Sequence, residues 1–321
     1  MKKSVKIAIT GVSAVCVAML IVNPAEYIAS AFTGIKTWAV VVLPSLLPFF
    51  FITALLTAIN ATGFIARLFS APAQKLFGVS GVCSYVFIMS VLSGYPVGAK
   101  IICDLKENGR ITAEEATKMS TFCSTSGPLF IIGSVGVGMF KDKVCGFILF
   151  FSHVIAAIAV GLIFRFFGKT EPSLPNIKKT AAPSNILYDC VYSAVISVAI
   201  VGGFICVFNI FADMAQTAGI LLPIEKAVLA ATGNGDFASG FSLGLIECTR
   251  GCKTIAESGV SALGLSLAES LISFGGVSVI FQSLAFLSRA DVKTGVFLSA
   301  KAVQMTISAF ICYLLCLCFG V

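Results

Sequence analysis

Charge is scarce in this sequence. Only 12% of its 321 residues are Asp, Glu, Lys or Arg, against 58% hydrophobic residues and a mean hydropathy of +1.00. A soluble domain carries about twice that charged fraction, so a water-facing globule is excluded and the bilayer is the solvent. Histidine occurs once, as His153, and no second metal ligand has a matching spacing. A metal centre is therefore not expected, and His153 reads as a packed or hydrogen-bonded helix residue. The twelve cysteines contain no CxxC pair and read as small hydrophobes in helices. Gly168-Lys169-Thr170 would need a glycine at position 163 to make a phosphate loop, and that position is Ile163. HExxH and Rossmann fingerprints are missing, and no nucleophile–base pair stands out. No enzyme activity, catalytic residue, metal or cofactor is expected. The net charge of +7 fits cytoplasmic loops better than a nucleic-acid partner.

What the sequence has is long apolar runs. A crossing helix needs about 20 mostly apolar residues, and seven windows supply them: 5–22, 35–59, 79–103, 144–167, 186–212, 226–247 and 295–319. The first follows Lys2-Lys3 in the manner of a signal peptide, but no A-x-A site comes after it, so an uncleaved helix is expected. Two further apolar stretches, 119–140 and 263–287, carry Gly, Pro, Ser or Glu near their middles. Arg67 and Lys75 among apolar residues in 64–78 fit a helix lying on the membrane surface. Thr112-Ala113-Glu114-Glu115 supplies an N-cap and an acidic first turn within the charged segment 104–118.

The chain divides into an N-terminal helix (1–30), a first unit (31–168), a Pro- and Lys-bearing cytoplasmic linker (169–184) and a second unit (185–321). At an offset of 150 residues Gly94 meets Gly244, Lys100 meets Arg250, Gly109 meets Gly259 and Lys143 meets Lys293. Each unit reads as a long helix, a Gly-rich helix ending in a basic residue, a polar turn, a broken apolar segment, a lysine and a long final helix. This order suggests an internal duplication. With Lys2, Lys3 and Lys6 inside, the positive-inside rule is best met if 119–140 and 263–287 are re-entrant hairpins. Arg250, Lys253, Arg289 and Lys293 then fall inside and segment 104–118 outside. The expected fold is all-α and polytopic, with about seven transmembrane helices plus two re-entrant helical hairpins in an inverted-repeat, transporter-like architecture.

Broken backbone at membrane depth is affordable only where it lines a cavity or is buried in protein. The breaks therefore carry the candidate solute site. The first holds Ser124, Thr125, Ser126 and Gly127 before Pro128; the second holds Ser273, Gly275 and Gly276, with Gln282 beyond. Half-helix N-termini there would present free N–H groups to a ligand. Gly94, Tyr95 and Lys100 mark a loosened helix end, matched in the second unit by Glu247. Glu247 and Glu269 are ionisable groups within apolar windows and so candidates for pairing with Lys100 or Arg250, or for a cation or proton site.

The strings SGYPVGAKIICDL, STFCSTSGPLFIIGSVG, GLIECTRG and SFGGVSV resemble the sporulation integral membrane protein YlbJ family, within the wider set sharing a nucleoside-recognition or Gate domain. The resemblance spans roughly residues 44–310. It implies a multi-pass protein of the bacterial plasma membrane, a role in endospore formation, and a Gate repeat in each half. The function it points to is movement of a small solute or ion; the competing class is a non-transporting scaffold for spore cortex or envelope assembly. The partners expected are the lipid bilayer, an unidentified small solute or ion, and a second copy of the chain in a homo-oligomer.

Overall fold

The computed structural model describes residues 3–59, 70–167 and 185–321, and every regular element among them is helical. The linker 169–184 and the part of 64–78 before Ser70 lie outside the described residues. The sixteen principal elements among the described residues follow in order. In the first unit they are α1 (Lys3–Val22), α2 (Pro24–Thr37), α3 (Leu43–Ala58), α4 (Ser70–Phe77), α5 (Val82–Ser93), α6 (Val97–Glu107), α7 (Ala113–Ser120), the π-helical α8 (Leu129–Met139) and α9 (Lys143–Phe164). The second unit holds α10 (Ile186–Thr217), α11 (Leu222–Thr232), α12 (Gly235–Gly244), α13 (Cys248–Glu257), α14 (Ala262–Phe274), α15 (Gly276–Leu287) and α16 (Thr294–Phe319). A π-helical stretch, Trp38–Val42, joins α2 to α3.

By length and composition four stretches can cross a membrane: Lys143–Phe164, Ile186–Thr217, Ala262–Ala290 and Thr294–Phe319. A fifth would be the pair Thr10–Val22 and Pro24–Val40, bent by 104° where Asn23-Pro24 ends the first helix. The second apolar run therefore begins its helix at Pro24 rather than near residue 35. The chain is a multi-pass integral membrane protein.

Helix starts follow the capping residues. Thr112 Oγ1 accepts the Glu115 N–H at 3.1 Å, as its sequence predicts, and Asp142, Asn185, Asn234 and Ser261 cap α9, α10, α12 and α14 in the same way. Each cap satisfies backbone donors that would otherwise be orphaned at a helix end.

The hairpins are not where the apolar windows place them. Windows 79–103 and 226–247 do not form continuous crossing helices. α5 ends at Gly94 (φ +82°), and α6, which follows Tyr95-Pro96, turns back to pack on α5. In the second unit α12 and α13 pack along each other so closely that a Cβ on Gly251 would lie 2.3 Å from Gly244 Cα. Their outer ends meet where Ser258 Oγ donates to Asp236 Oδ2 at 2.7 Å. Conversely, 119–140 and 263–287 do not double back. α8 lies along α9 while α7 packs on α6; α14 lies along α16 while α15 packs on α6 and α10. Seven irregular, buried residues, 121–127, separate the two arms. Gly275, between α14 and α15, and Gly276, which opens α15, both have positive φ.

Two apolar clusters lie toward opposite ends. One gathers Leu105, Ile111, Leu287, Ala290, Val292 and Phe297; the other gathers Val135, Phe140, Cys145, Ile255, Leu265 and Cys316. At the first end Arg289 pairs with Glu107 at 2.6 Å, Lys106 with Asp291 at 3.5 Å, and the Lys293 N–H donates to Thr117 Oγ1 at 3.1 Å. Segment 104–118 and residues 289–293 thus share one face. Their expected assignment to opposite faces is corrected, because contacts of this length cannot straddle about 30 Å of hydrocarbon.

Candidate solute site

The helix interruptions converge. A cleft of about 90 Å³ is lined by Ser93, Gly94 and Tyr95 from the α5–α6 tip and by Ser126 and Gly127 from the α7–α8 break. Glu247, Cys248 and Thr249 from the α12–α13 tip, and Ile272, Gly275 and Gln282 from α14 and α15, complete its polar side. Val42, Leu46, Phe49, Val201 and Ile205 form an apolar wall. A second, polar cavity of about 570 Å³ adjoins it; Glu247 and Thr249 line both. In its wall Asp213 pairs with Arg250 and accepts a hydrogen bond from Ser30.

Seven of the residues singled out by sequence therefore line the cleft: Gly94, Tyr95, Ser126, Gly127, Glu247, Gly275 and Gln282. Ser124, Thr125, Ser273 and Gly276 stand behind it. Thr125 Oγ1 bonds Ser90 Oγ at 2.8 Å, and the Ser124 carbonyl and Ser273 hydroxyl belong to the polar core described below. Lys100 is elsewhere: its Nζ donates to Ser193 Oγ at 2.8 Å, and it lines a separate cavity with Asp104. The tip of α5–α6 points into the cleft, so a residue one and a half turns along α6 is carried away from it.

Two expected chemistries are corrected. The first N–H groups of α15 are not free for a ligand. Val277 donates to Leu245 O at 2.8 Å and Ser278 to Ile246 O at 3.0 Å, which satisfies the carbonyls exposed where α12 ends. Gly276 is needed for that approach, since a Cβ would lie 2.9 Å from Gly244 O. Glu247 does not pair with a basic side chain either; its carboxylate caps α13, accepting the Arg250 N–H at 2.8 Å and the Thr249 N–H at 3.3 Å. Gly240-Phe241-Ser242-Leu243-Gly244 has the spacing of a hydrolase nucleophile elbow, but that elbow is a strand–turn–helix. Here Ser242 lies within α12 and donates to Ser239 O and Glu225 Oε1.

Behind the cleft lies a buried polar core that ties both units together. The Ser126 N–H donates to His153 Nε2 at 2.8 Å. A ring nitrogen that accepts carries no proton, so the proton sits on Nδ1. Nδ1 lies 2.9 Å from Ser273 Oγ and 3.1 Å from Glu269 Oε1, and the Ser273 hydroxyl donates to that same oxygen at 2.8 Å. Lys301 Nζ donates to Tyr95 Oη at 2.6 Å, Ser124 O at 2.9 Å and Gln304 Oε1 at 3.0 Å, which uses all three of its protons. Tyr95 in turn donates to Ser273 O at 3.1 Å. His153, Glu269 and Lys301 are each no more than 1% exposed. Sequence pattern alone passed over Lys301. Its signal is the rule applied to Glu247, an ionisable residue inside an apolar window, with Gln304 one turn on.

These elements meet in a protein with a recognisable relative. The chain is 32% identical to the sporulation integral membrane protein YlbJ of Bacillus subtilis (strain 168), over an alignment of 329 positions covering 93% of this chain and 79% of that protein. The chain belongs to the YlbJ family. No family model matches it, and no solved structure matches it.

Proposed function

We propose that this YlbJ-family protein is a secondary transporter that moves a small solute or ion through the cleft between its two units, without enzymatic activity. The observation that carries this reading is the lining itself: both helical hairpin tips and both broken segments contribute to one cleft, and Glu247 and Thr249 join it to a polar vestibule. A scaffold needs packing, and packing does not require four interruptions to converge on a cavity. Two inverted repeats of the Gate type account for the arrangement. The hairpins α5–α6 and α12–α13 are re-entrant, and α7–α8 and α14–α15 are broken crossings. In support, the two non-glycine residues with positive φ among the described residues, Lys141 and Asp291, stand 150 apart, as do Gly109 and Gly259. Alternating access would follow from rocking of one unit against the other around the cleft. The relative's name extends to this chain a role in sporulation as part of the same proposal.

The test is solute flux. Purified protein in sealed vesicles is assayed with radiolabelled nucleosides, small carboxylates and monovalent cations. At least one class should move, and Glu247→Gln or Ser126→Ala should abolish that movement while the protein remains folded. No flux for any class, with variants that lose only assembly or stability, would favour a non-transporting scaffold.

A further inference from the structure

From the polar core we infer that His153 and Glu269 form a proton-binding site whose loading releases the Ser126 backbone into the cleft. This inference rests on the reading of the cleft as a solute site. Its geometric basis is an exclusivity. The Ser126 N–H can donate to His153 Nε2 only while that nitrogen holds a lone pair. A proton delivered by cleft water to Nε2 converts acceptor to donor, with no bond broken except the hydrogen bond from Ser126. The imidazolium keeps its Nδ1–H on Glu269 Oε1, so the added charge faces a carboxylate. Ser126 lines the cleft and its side chain is itself buried, so a shift of this segment changes the space offered to solute.

A second observation points to the same ligand. Glu269 Oε2 is fully buried and has no hydrogen-bond donor. An ionised oxygen in that position is costly, and a positive charge arriving on the neighbouring ring offsets the cost. Among the described residues the titratable groups facing the pair are Lys301 and Cys312 from α16, Tyr95 from the α5–α6 tip and Cys248 from α13; α8 contributes none. No cluster of three or more His, Cys, Asp or Glu among the described residues could hold a metal ion. The acceptors present, an imidazole nitrogen and a carboxylate oxygen without a donor, suit a proton.

His153 is the sole histidine, which makes the test direct. The full chain, purified through a tag without histidine and placed in lipid nanodiscs, is labelled with 15N-histidine and titrated by NMR. The expected result is one imidazole, in the Nδ1–H tautomer at high pH, converting to imidazolium on acidification while the protein stays folded. Amide exchange of the peptide containing Ser126, corrected for the intrinsic pH effect, should rise by about tenfold across that titration, the factor for losing roughly one hydrogen bond's protection. In His153→Gln, which keeps an acceptor that does not titrate, the rise should vanish. An Nε2–H tautomer, an imidazole that stays neutral throughout, or exchange indifferent to its protonation would overturn the inference. Because none of these readouts needs transport, a positive titration with no solute flux would leave the proton site standing and remove the transporter reading.

Discussion

Lys301 shows what one buried charge can organise. Its three donors end on a tyrosine hydroxyl, an unwound backbone carbonyl and a glutamine, each from a different part of the chain or a different turn. Removing one acceptor should be felt as an unsatisfied buried donor, costing about 1–3 kcal/mol. Tyr95→Phe is therefore expected to lower stability by that amount, measured by denaturant unfolding in mixed micelles. Lys301→Met removes the charge together with its need for partners, so the two changes should not add. A double-mutant cycle is expected to return a coupling of about 0.5–3 kcal/mol; additivity would mean that the 2.6 Å contact contributes nothing. Gly98 makes the complementary point about volume. A Cβ there would lie 1.8 Å from the Cys123 carbonyl oxygen, and Gly98→Ala should cost about 1–3 kcal/mol as backbone moves to admit it.

At the scale of elements the same logic separates two glycines on one hairpin. Gly251 abuts Gly244 in the facing arm, whereas a Cβ on Gly235 meets nothing within 4 Å. Gly251→Ala should force α12 from α13 and destabilise the tip that carries Glu247. Gly235→Ala should be neutral or stabilising by about 0.5–1 kcal/mol, since it only restricts the unfolded chain. Parallel thermal melts of the two variants check this, and equal losses would contradict the packing. These hairpins also mark the limit of what was legible. The breaks themselves are written in the sequence: Gly94-Tyr95-Pro96, Ser124 to Pro128 and Gly275-Gly276 all interrupt helices where their chemistry says they should. Whether a chain turns back at a break or continues is settled by what each arm finds to pack on. Gly251 against Gly244 and Ser258 against Asp236 are contacts that an apolar window does not encode. The site divided likewise: cleft-lining Ser126 and Glu247 stood out as polar groups at breaks, while the partnership of His153 with Glu269 spans 116 residues and was invisible to local spacing.

The whole molecule makes its own prediction, because α9 links its two ends. It starts at its Asp142 cap and ends where the Arg165 carbonyl approaches Gly78, near Lys118. Twenty-two residues at about 1.5 Å each span about 33 Å, the thickness of a hydrocarbon core. Glu107, Thr117, Arg289 and Asp291 share the end where α9 finishes, tied by the Glu107–Arg289 ion pair. Phe140 and Ile255 cluster at the end where it starts. Cysteines introduced one at a time at Asn108 and Ser288, in a chain with the half-buried or exposed Cys16, Cys206 and Cys318 replaced by Ser, should react with a membrane-impermeant maleimide from one face. Lys141→Cys and Val260→Cys should react only from the other. If Asn108 and Ser288 labelled from opposite faces, the ion pairs would have to be wrong, and 119–140 and 263–287 would return as hairpins. If all four labelled as stated, equivalent turns 150 residues apart, such as Lys141 and Asp291, would lie on opposite faces. A duplication inverted across the membrane requires that relation, and a parallel one forbids it.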